Sequence, residues 1–155
     1  MLKYFREDIV LQEVPNEISI SFSICGCPRK CKNCSWKNTI NLGEKHVLTD
    51  TKFKSTLKKY SGLATCVLFL GGEWEEEDLI NKLKQAKKFG YKTCLYTGCD
   101  LNQVSLSIKE NLDFIKVGQY VESLGGLSSP TTNQRFIDLV SGKILNNYFV
   151  RKEAF

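Results

Sequence analysis

The sequence has no apolar run near the length that a bilayer span requires, which is about 20 residues. Its first eight residues soon mix charge with apolar side chains, so we expect no signal peptide. Only three prolines and no tract rich in Ser and Gly are present, which argues against a linker or a disordered tail. For a chain of 155 residues, 42% of them apolar, we expect one ordered cytoplasmic domain over residues 1–155, with no membrane partner.

Charge of one sign is not concentrated in any long block. The chain carries 22 Lys and Arg residues against 17 Asp and Glu residues, a formal net charge of +5. Many of the lysines are spread along predicted helices without interleaved aromatic residues, so we expect no nucleic-acid partner.

Histidine is nearly absent, whereas the chain has seven cysteines, an odd number. Four of them fall within ten residues: Cys25, Cys27, Cys31 and Cys34. In a cytosolic protein, such a cluster indicates metal binding or redox chemistry rather than a disulfide framework. The other three lie in or just after apolar runs, and we expect them to be buried as small hydrophobic residues: Cys66, Cys94 and Cys99.

Four strands are indicated by local patterns. Apolar residues alternate with serines over Ile18–Ile24, the period of a half-buried strand, and this strand leads directly into the cysteine cluster. Continuous apolar character predicts further strands at Cys66–Leu70, 93–96 and Phe114–Val117. Residues 136–140 and 143–149 flank a Ser-Gly turn and predict a terminal hairpin.

Helices are predicted between these strands. One begins behind a cap signal at Thr49 and ends at Gly62, and another, acidic at its start and basic in its second half, runs from Glu75 to Gly90. Its predicted buried stripe is Leu79, Leu83, Ala86 and Phe89. A weaker helix is predicted over 101–111. In residues 118–135 the apolar side chains recur with neither the helix nor the strand period.

The alternation of strands and helices predicts an α/β fold with a mainly parallel sheet, whose functional loops gather at the carboxyl ends of the strands. A full eight-fold barrel needs about 250 residues. The chain is therefore expected to build part of a barrel, or an open sheet. An open side of the sheet would admit a large substrate.

The spacing C-x3-C-x2-C, formed by Cys27, Cys31 and Cys34, places three thiolates on one short loop. Iron–sulfur clusters are held by thiolates, usually four, so a three-ligand loop leaves one iron free to bind a substrate. Nearby cations would offset the negative charge of the thiolates: Arg29, Lys30, Lys32 and Lys37. The alternative is structural zinc, with Cys25 or His46 as the fourth ligand, although only one C-x2-C pair is present.

This cysteine motif after a first strand resembles that of the radical S-adenosylmethionine enzymes. Three further stretches narrow the resemblance: Gly71-Gly72-Glu73, Tyr96-Thr97-Gly98 and residues 118–135. Together with residues 26–39 they resemble the activating proteins of anaerobic ribonucleoside-triphosphate reductases, which are short glycyl-radical activases. The resemblance extends over nearly the whole chain.

The resemblance implies a partial, open (β/α) barrel of the radical S-adenosylmethionine type. It also implies a 4Fe–4S cluster held by Cys27, Cys31 and Cys34, whose open iron binds the amino and carboxylate groups of S-adenosylmethionine. The cofactor contacts that it implies are Asn33, Ser35, Gly71, Gly72, Glu73, Thr97 and Lys116. Among these, Glu73 would accept the cofactor's ammonium group, and Lys116 would meet its carboxylate.

The implied activity is reductive cleavage of S-adenosylmethionine to a 5′-deoxyadenosyl radical, which generates a glycyl radical on the large subunit of the reductase. The basic residues near the cysteines would dock a flavodoxin-like electron donor. Residues 120–135 form either an ordered surface loop or a contact surface for the reductase. Three alternatives stay open: activation of a different glycyl-radical enzyme, radical chemistry on a small molecule, and a non-catalytic zinc or iron–sulfur module.

Overall fold

A computed structural model describes residues 1–27 and 45–150, and these contain one seven-stranded sheet. In chain order the strands are β1 (Lys3–Leu11), β2 (Ile18–Ile24), β3 (His46–Val47), β4 (Cys66–Leu70), β5 (Lys92–Tyr96), β6 (Phe114–Val117) and β7 (Arg135–Asp138). In space their order is β3-β1-β2-β4-β5-β6-β7. The helices are α1 (Asp50–Lys59), α2 (Glu76–Lys88) and the short α3 (Leu106–Lys109).

The centre of the sheet is a block of four parallel strands. β2 pairs with β4, β4 with β5 and β5 with β6, all in parallel. The outer pairings of β1 with β2 and with β3, and of β6 with β7, are antiparallel. The prediction of an α/β fold with a mainly parallel, open sheet is confirmed, whereas the radical S-adenosylmethionine type of barrel stays a prediction.

The two long helices form where the sequence predicts them. Thr49 caps α1, since its hydroxyl accepts a hydrogen bond from the Lys52 amide over 3.1 Å. In α2 the acidic residues lie in the first turn and basic residues in the last, which the helix dipole favours. The predicted buried stripe is wrong at its end, because Phe89 caps the helix with 37% of its surface exposed.

Strand β1 has no counterpart in the sequence prediction. Charged residues interrupt the alternation of its side chains, and all nine residues of the strand are half buried or exposed. It forms because its backbone pairs with β2, from Tyr4 opposite Ile24 to Leu11 opposite Ile18. Long-range pairing therefore decides the conformation of this segment.

The predicted helix over 101–111 is wrong in part. A 3₁₀ turn at Leu101–Gln103 precedes α3, which has only four residues. Ser105 separates the two, because its backbone is extended and its hydroxyl accepts a hydrogen bond from the Ile108 amide. Ser105 therefore caps α3, which begins in the middle of the helix predicted over 101–111.

The predicted terminal hairpin is also wrong in part. Its first arm is β7, but the second arm gives only a bridge between Ile137 and Ile144 and a 3₁₀ turn at Asn146–Tyr148. The Asn146 side chain accepts a hydrogen bond from the Phe136 amide over 2.8 Å and donates one to the Gln134 carbonyl over 2.9 Å. Two backbone hydrogen bonds also join the arms, from the Asp138 amide to the Lys143 carbonyl over 2.9 Å and from the Leu145 amide to the Phe136 carbonyl over 2.7 Å. Beyond Leu145, the Asn146 side chain replaces backbone pairing.

Apolar side chains are buried on both faces of the sheet. On the face that the helices cover, the rings of Phe22, Phe53 and Phe69 pack within 6 Å of one another. A smaller cluster on the other face contains Cys66 and Cys94, both fully buried. The predicted burial of these two cysteines is confirmed, whereas Cys99 is only half buried.

No helix among residues 1–27 and 45–150 has the length and apolar character needed to cross a membrane.

Candidate functional site

The cysteine segment begins where β2 ends. Cys27 lies three residues beyond the last residue of β2 and is half buried, and Cys25 is 7% exposed. Burial raises the pKa of the Cys25 thiol above its ordinary value, and Lys45 and Lys3 oppose that rise. Two predicted cluster ligands, two predicted cofactor contacts and the four basic residues near them lie outside the described residues: Cys31, Cys34, Asn33, Ser35, Arg29, Lys30, Lys32 and Lys37.

The described residues do not by themselves complete a metal site. Within residues 1–27 and 45–150, no group of three or more His, Cys, Asp and Glu side chains could hold a metal ion. His46, named above as an alternative zinc ligand, is exposed and belongs to β3, where its ring lies 5.6 Å from that of Tyr4. Two of the three expected ligands, Cys31 and Cys34, belong to the undescribed segment.

A small cavity adjoins the start of the cysteine segment. Its volume is about 280 Å³, and Cys25, Gly26 and Trp74 line it together with the cations Lys3 and Lys45 and the carboxylate of Glu75. The two lysines are the groups whose positive charge opposes the rise in the pKa of the Cys25 thiol.

The Gly-Gly-Glu turn follows the neighbouring strand at the same edge of the sheet. β4 lies beside β2 in parallel, and Glu73 lies three residues beyond the end of β4, as Cys27 does beyond the end of β2. The parallel pairing therefore brings the first cluster cysteine and the predicted cofactor-binding carboxylate to adjacent strand ends.

Both glycines of this turn have a conformation that other residues rarely adopt. Gly71 has a φ of +86° and Gly72 a φ of +115°. A side chain at Gly71 would meet the ring of Trp74, and one at Gly72 would meet Leu2. Glycine is therefore required at both positions by backbone conformation and by packing within the protein.

The carboxylate of Glu73 has two unequal oxygens. Oε1 accepts a hydrogen bond from the Thr97 hydroxyl over 2.8 Å and lies 3.6 Å from the thiol sulfur of Cys99. Oε2 is buried, and no hydrogen-bond partner for it occurs in the part of the chain that the structure describes. Because a buried polar atom is almost always hydrogen-bonded, this oxygen fits the ammonium group of a bound ligand.

Lys116 lies at the same edge of the sheet. It is the third residue of β6, and its Nζ is 5.3 Å from the centre of the Tyr96 ring. Tyr96, the last residue of β5, donates a hydrogen bond through its hydroxyl to the carbonyl of Glu13. Burial is the main reason why the pKa of Tyr96 is raised far above its ordinary value.

Residues 118–134 form a hydrogen-bonded loop. The side chain of Gln134 donates to the Gly118 carbonyl over 3.1 Å, and that of Asn133 donates to the Gln119 carbonyl over 2.9 Å. Within the loop, the Thr132 hydroxyl donates to the Gly125 carbonyl over 2.8 Å. The ordered-loop interpretation agrees with these bonds, and the alternative, a contact surface for a reductase, stays a prediction.

The comparisons with known proteins bear on the cysteine segment. A family model described as a 4Fe-4S single cluster domain matches residues 18–137, which is more than half of the chain. The chain belongs to this family. No curated protein and no solved structure matches it.

The 4Fe-4S single cluster domain is found in radical S-adenosylmethionine proteins. Membership of this family supports iron–sulfur binding by the chain and is compatible with a redox enzyme. It favours the iron–sulfur interpretation of the cysteines over structural zinc. Thiolates are the ligands that such a cluster takes, so the donor set of Cys27, Cys31 and Cys34 fits it. The assignment of these three ligands stays a prediction.

Sequence reasoning missed one residue of this site. Cys99 was expected to be a buried hydrophobic residue, but it lies beside the Glu73 carboxylate. It follows β5, the strand next to β4, so its position three residues beyond a strand end is the signal that could have identified it.

Proposed function

We propose that this chain is a radical S-adenosylmethionine activase that generates a glycyl radical on the large subunit of an anaerobic ribonucleoside-triphosphate reductase. Three observations support the proposal: membership of a 4Fe–4S cluster family, the C-x3-C-x2-C spacing of the cysteines, and the buried carboxylate at the neighbouring strand end. The specific reductase partner rests on the sequence resemblance.

The observation that carries the proposal is that Oε2 of Glu73 is buried and has no hydrogen-bond partner among the described residues. An iron–sulfur protein that only transfers electrons needs no buried acceptor at the strand end beside its cysteine loop. S-adenosylmethionine carries an ammonium group, which would donate a charge-assisted hydrogen bond to Oε2. The position of Glu73 beside the strand that leads to Cys27 puts this acceptor at the edge where the cluster is expected.

When bound, the cluster and S-adenosylmethionine would supply radical chemistry: one electron from the reduced cluster would break a carbon–sulfur bond of S-adenosylmethionine to give methionine and a 5′-deoxyadenosyl radical, which would take a hydrogen atom from a glycine of the reductase. The protein's own residues would bind the cluster and orient S-adenosylmethionine. Cys27, Cys31 and Cys34 would hold the cluster, Glu73 would fix the ammonium group, and Lys116 would face the cofactor's carboxylate. Asn33, Ser35 and Thr97 are the remaining predicted contacts.

Two protein partners belong to the proposal. The large subunit of the reductase is the substrate, and the loop of residues 118–134 is a candidate contact surface for it because its internal hydrogen bonds preform its shape. A flavodoxin-like protein would supply the electron, steered to the basic residues of the cysteine segment: Arg29, Lys30, Lys32 and Lys37.

The test is the electron paramagnetic resonance spectrum of the anaerobically reconstituted, reduced protein, recorded with and without S-adenosylmethionine. We expect a cluster signal that changes on addition of the cofactor. An unresponsive cluster would indicate an electron carrier, and a colourless, air-stable zinc protein would indicate a structural module.

A second step identifies the partner. The loaded protein is mixed with the large subunit of the reductase and, in parallel, with a different glycyl-radical enzyme. We expect a glycyl radical only in the reductase. A radical in the other enzyme alone would assign the chain to a different activase.

A further inference from the structure

We infer that Thr97 and Cys99 are positioning residues that hold one oxygen of the Glu73 carboxylate and so present the other oxygen to the ammonium group of S-adenosylmethionine. The inference rests on the proposed function, because it concerns the same cofactor. It gives Thr97 a role through Glu73 and adds Cys99 to the site.

The direction of the Thr97 hydrogen bond follows from its neighbours. The Cys99 amide donates to the Thr97 hydroxyl oxygen over 3.0 Å. The hydroxyl therefore directs its own proton to Oε1 of Glu73, 2.8 Å away. Since Thr97 is only 2% exposed, water has little access to compete for this bond.

The Cys99 thiol acts on the same oxygen. Its sulfur lies 3.6 Å from Oε1, within the range of a weak sulfur hydrogen bond. Two donors therefore converge on Oε1, while Oε2 is buried with no partner among residues 1–27 and 45–150. This asymmetry fixes the rotation of the carboxylate, which would otherwise present either oxygen.

The backbone that carries these two donors is itself held by β6. The Thr97 amide donates to the Lys116 carbonyl over 2.9 Å, and the Gly118 amide donates to the Cys99 carbonyl over 2.8 Å. The two ends of the 97–99 turn are thereby bonded to β6 and to the residue that follows it. The donors lie on a rigid support, as precise placement of a ligand-binding group requires.

The test measures binding of S-adenosylmethionine to the cluster-loaded protein without reductant, so that no turnover occurs. We expect Thr97→Val to raise the dissociation constant about tenfold, because a hydrogen bond to a charged group has about that effect. Thr97→Ser keeps the hydroxyl and should restore binding close to wild type. Cys99→Ala should raise the dissociation constant about threefold, since a thiol is a weak donor.

The matched control is Thr93→Val. Thr93 is a buried threonine of β5, four residues before Thr97, and its hydroxyl donates to the Asn111 carbonyl over 2.6 Å and lies 3.4 Å from Oδ2 of Asp113, neither of which contacts Glu73. This variant also loses a buried threonine hydroxyl and its hydrogen bond, and its dissociation constant should stay at the wild-type value. An increase equal to that of Thr97→Val would overturn the inference, because it would assign the effect to general loss of stability.

A double-mutant cycle decides whether Thr97 acts through Glu73. In a Glu73→Ala background, Thr97→Val should cause no further loss of affinity. Full additivity would overturn the inference, and so would unchanged binding in both Thr97→Val and Cys99→Ala. If Thr97→Val does not fold, Cys99→Ala in the same cycle gives the decision.

The same measurements separate this inference from the proposed function. If the wild-type protein binds its cluster but not S-adenosylmethionine, the proposed function fails and the inference fails with it. If wild type binds the cofactor and the Thr97 and Cys99 variants bind it equally well, only the inference fails.

Discussion

The indole ring of Trp74 occupies the space beside the α-carbon of Gly71, so that a Cβ atom at Gly71 would lie 2.7 Å from Cη2 of Trp74. On its other side, Trp74 faces Gly26, where a Cβ atom would lie 3.7 Å from the indole nitrogen. The ring therefore packs between the turn that carries Glu73 and the backbone just before Cys27. It couples the position of the carboxylate to the start of the cysteine segment.

Gly71→Ala should destabilise the fold more than the same change at Gly90. Both glycines have a φ of +86°, but nothing lies within 4 Å of a Cβ atom built at Gly90. We expect Gly90→Ala to cost about 1 kcal/mol through backbone strain, and Gly71→Ala to cost about 1–3 kcal/mol more through the clash with Trp74. Urea unfolding of the two variants measures the difference, and equal costs would contradict the packing argument.

The three cysteines predicted to hold the cluster should be equally indispensable for the proposed function. Cys27→Ala, Cys31→Ala and Cys34→Ala should each abolish the proposed cleavage of S-adenosylmethionine, because each variant loses a predicted thiolate ligand. The measurements are iron content and release of 5′-deoxyadenosine. Cys66→Ala is the control, since Cys66 is a fully buried residue of β4, and its loss should lower stability but leave the cluster. Retained cleavage in Cys31→Ala would refute the three-ligand assignment.

Lys82 should contribute to stability far more than its neighbour Lys84. Its side chain is 1% exposed, and its Nζ lies 2.8 Å from Oδ1 of Asp50 and 2.9 Å from Oδ1 of Asp78. Asp78 in turn accepts a hydrogen bond from the Leu2 amide over 2.7 Å, so the lysine links both long helices and the N-terminal segment. Truncation of Lys82 removes its buried aliphatic chain and leaves the partly buried carboxylate of Asp78 without its cation.

We expect Lys82→Ala to lower the free energy of unfolding by about 2–4 kcal/mol. Lys84→Ala, at an exposed position of the same helix, should change it by less than about 0.5 kcal/mol. Thermal and urea unfolding of both variants give the comparison. Similar losses in the two variants would show that the buried ion pairs contribute little.

Alkaline pH should destabilise the protein through its buried thiols. Burial raises the pKa of Cys66 from its ordinary value of 9.0 to about 12 and raises that of Cys94 well above 9.0. Above about pH 9 the unfolded chain therefore releases protons that the folded chain keeps, so stability falls as pH rises from about 9 to 12. Cys66→Ala should lose less stability over this range, as measured by urea unfolding at several pH values. Parallel curves for variant and wild type would contradict the assignment.

Much of the fold follows from local sequence. The alternation over β2, the apolar run of β4, the cap at Thr49 and the charge order of α2 all act within a few residues, so these elements could be predicted. The exceptions have long-range causes. β1 forms by pairing with β2, and the Asn146 side chain bonds to the Phe136 amide where the second arm of the predicted hairpin ends early.

The candidate site also has some features that local sequence determines and others that only the tertiary structure determines. The sequence determined the C-x3-C-x2-C spacing and the Gly-Gly-Glu turn, because ligand spacing and turn chemistry are local properties of a chain. Only the tertiary structure decided that Thr97 and Cys99 meet Glu73, since 24 and 26 positions separate them along the chain. Parallel pairing of β4 with β5 brings these residues to one edge of the sheet, and no local pattern encodes that register. The burial of Lys82 has the same origin, because a lysine on the inner side of a helix is stable only where other elements supply its carboxylates.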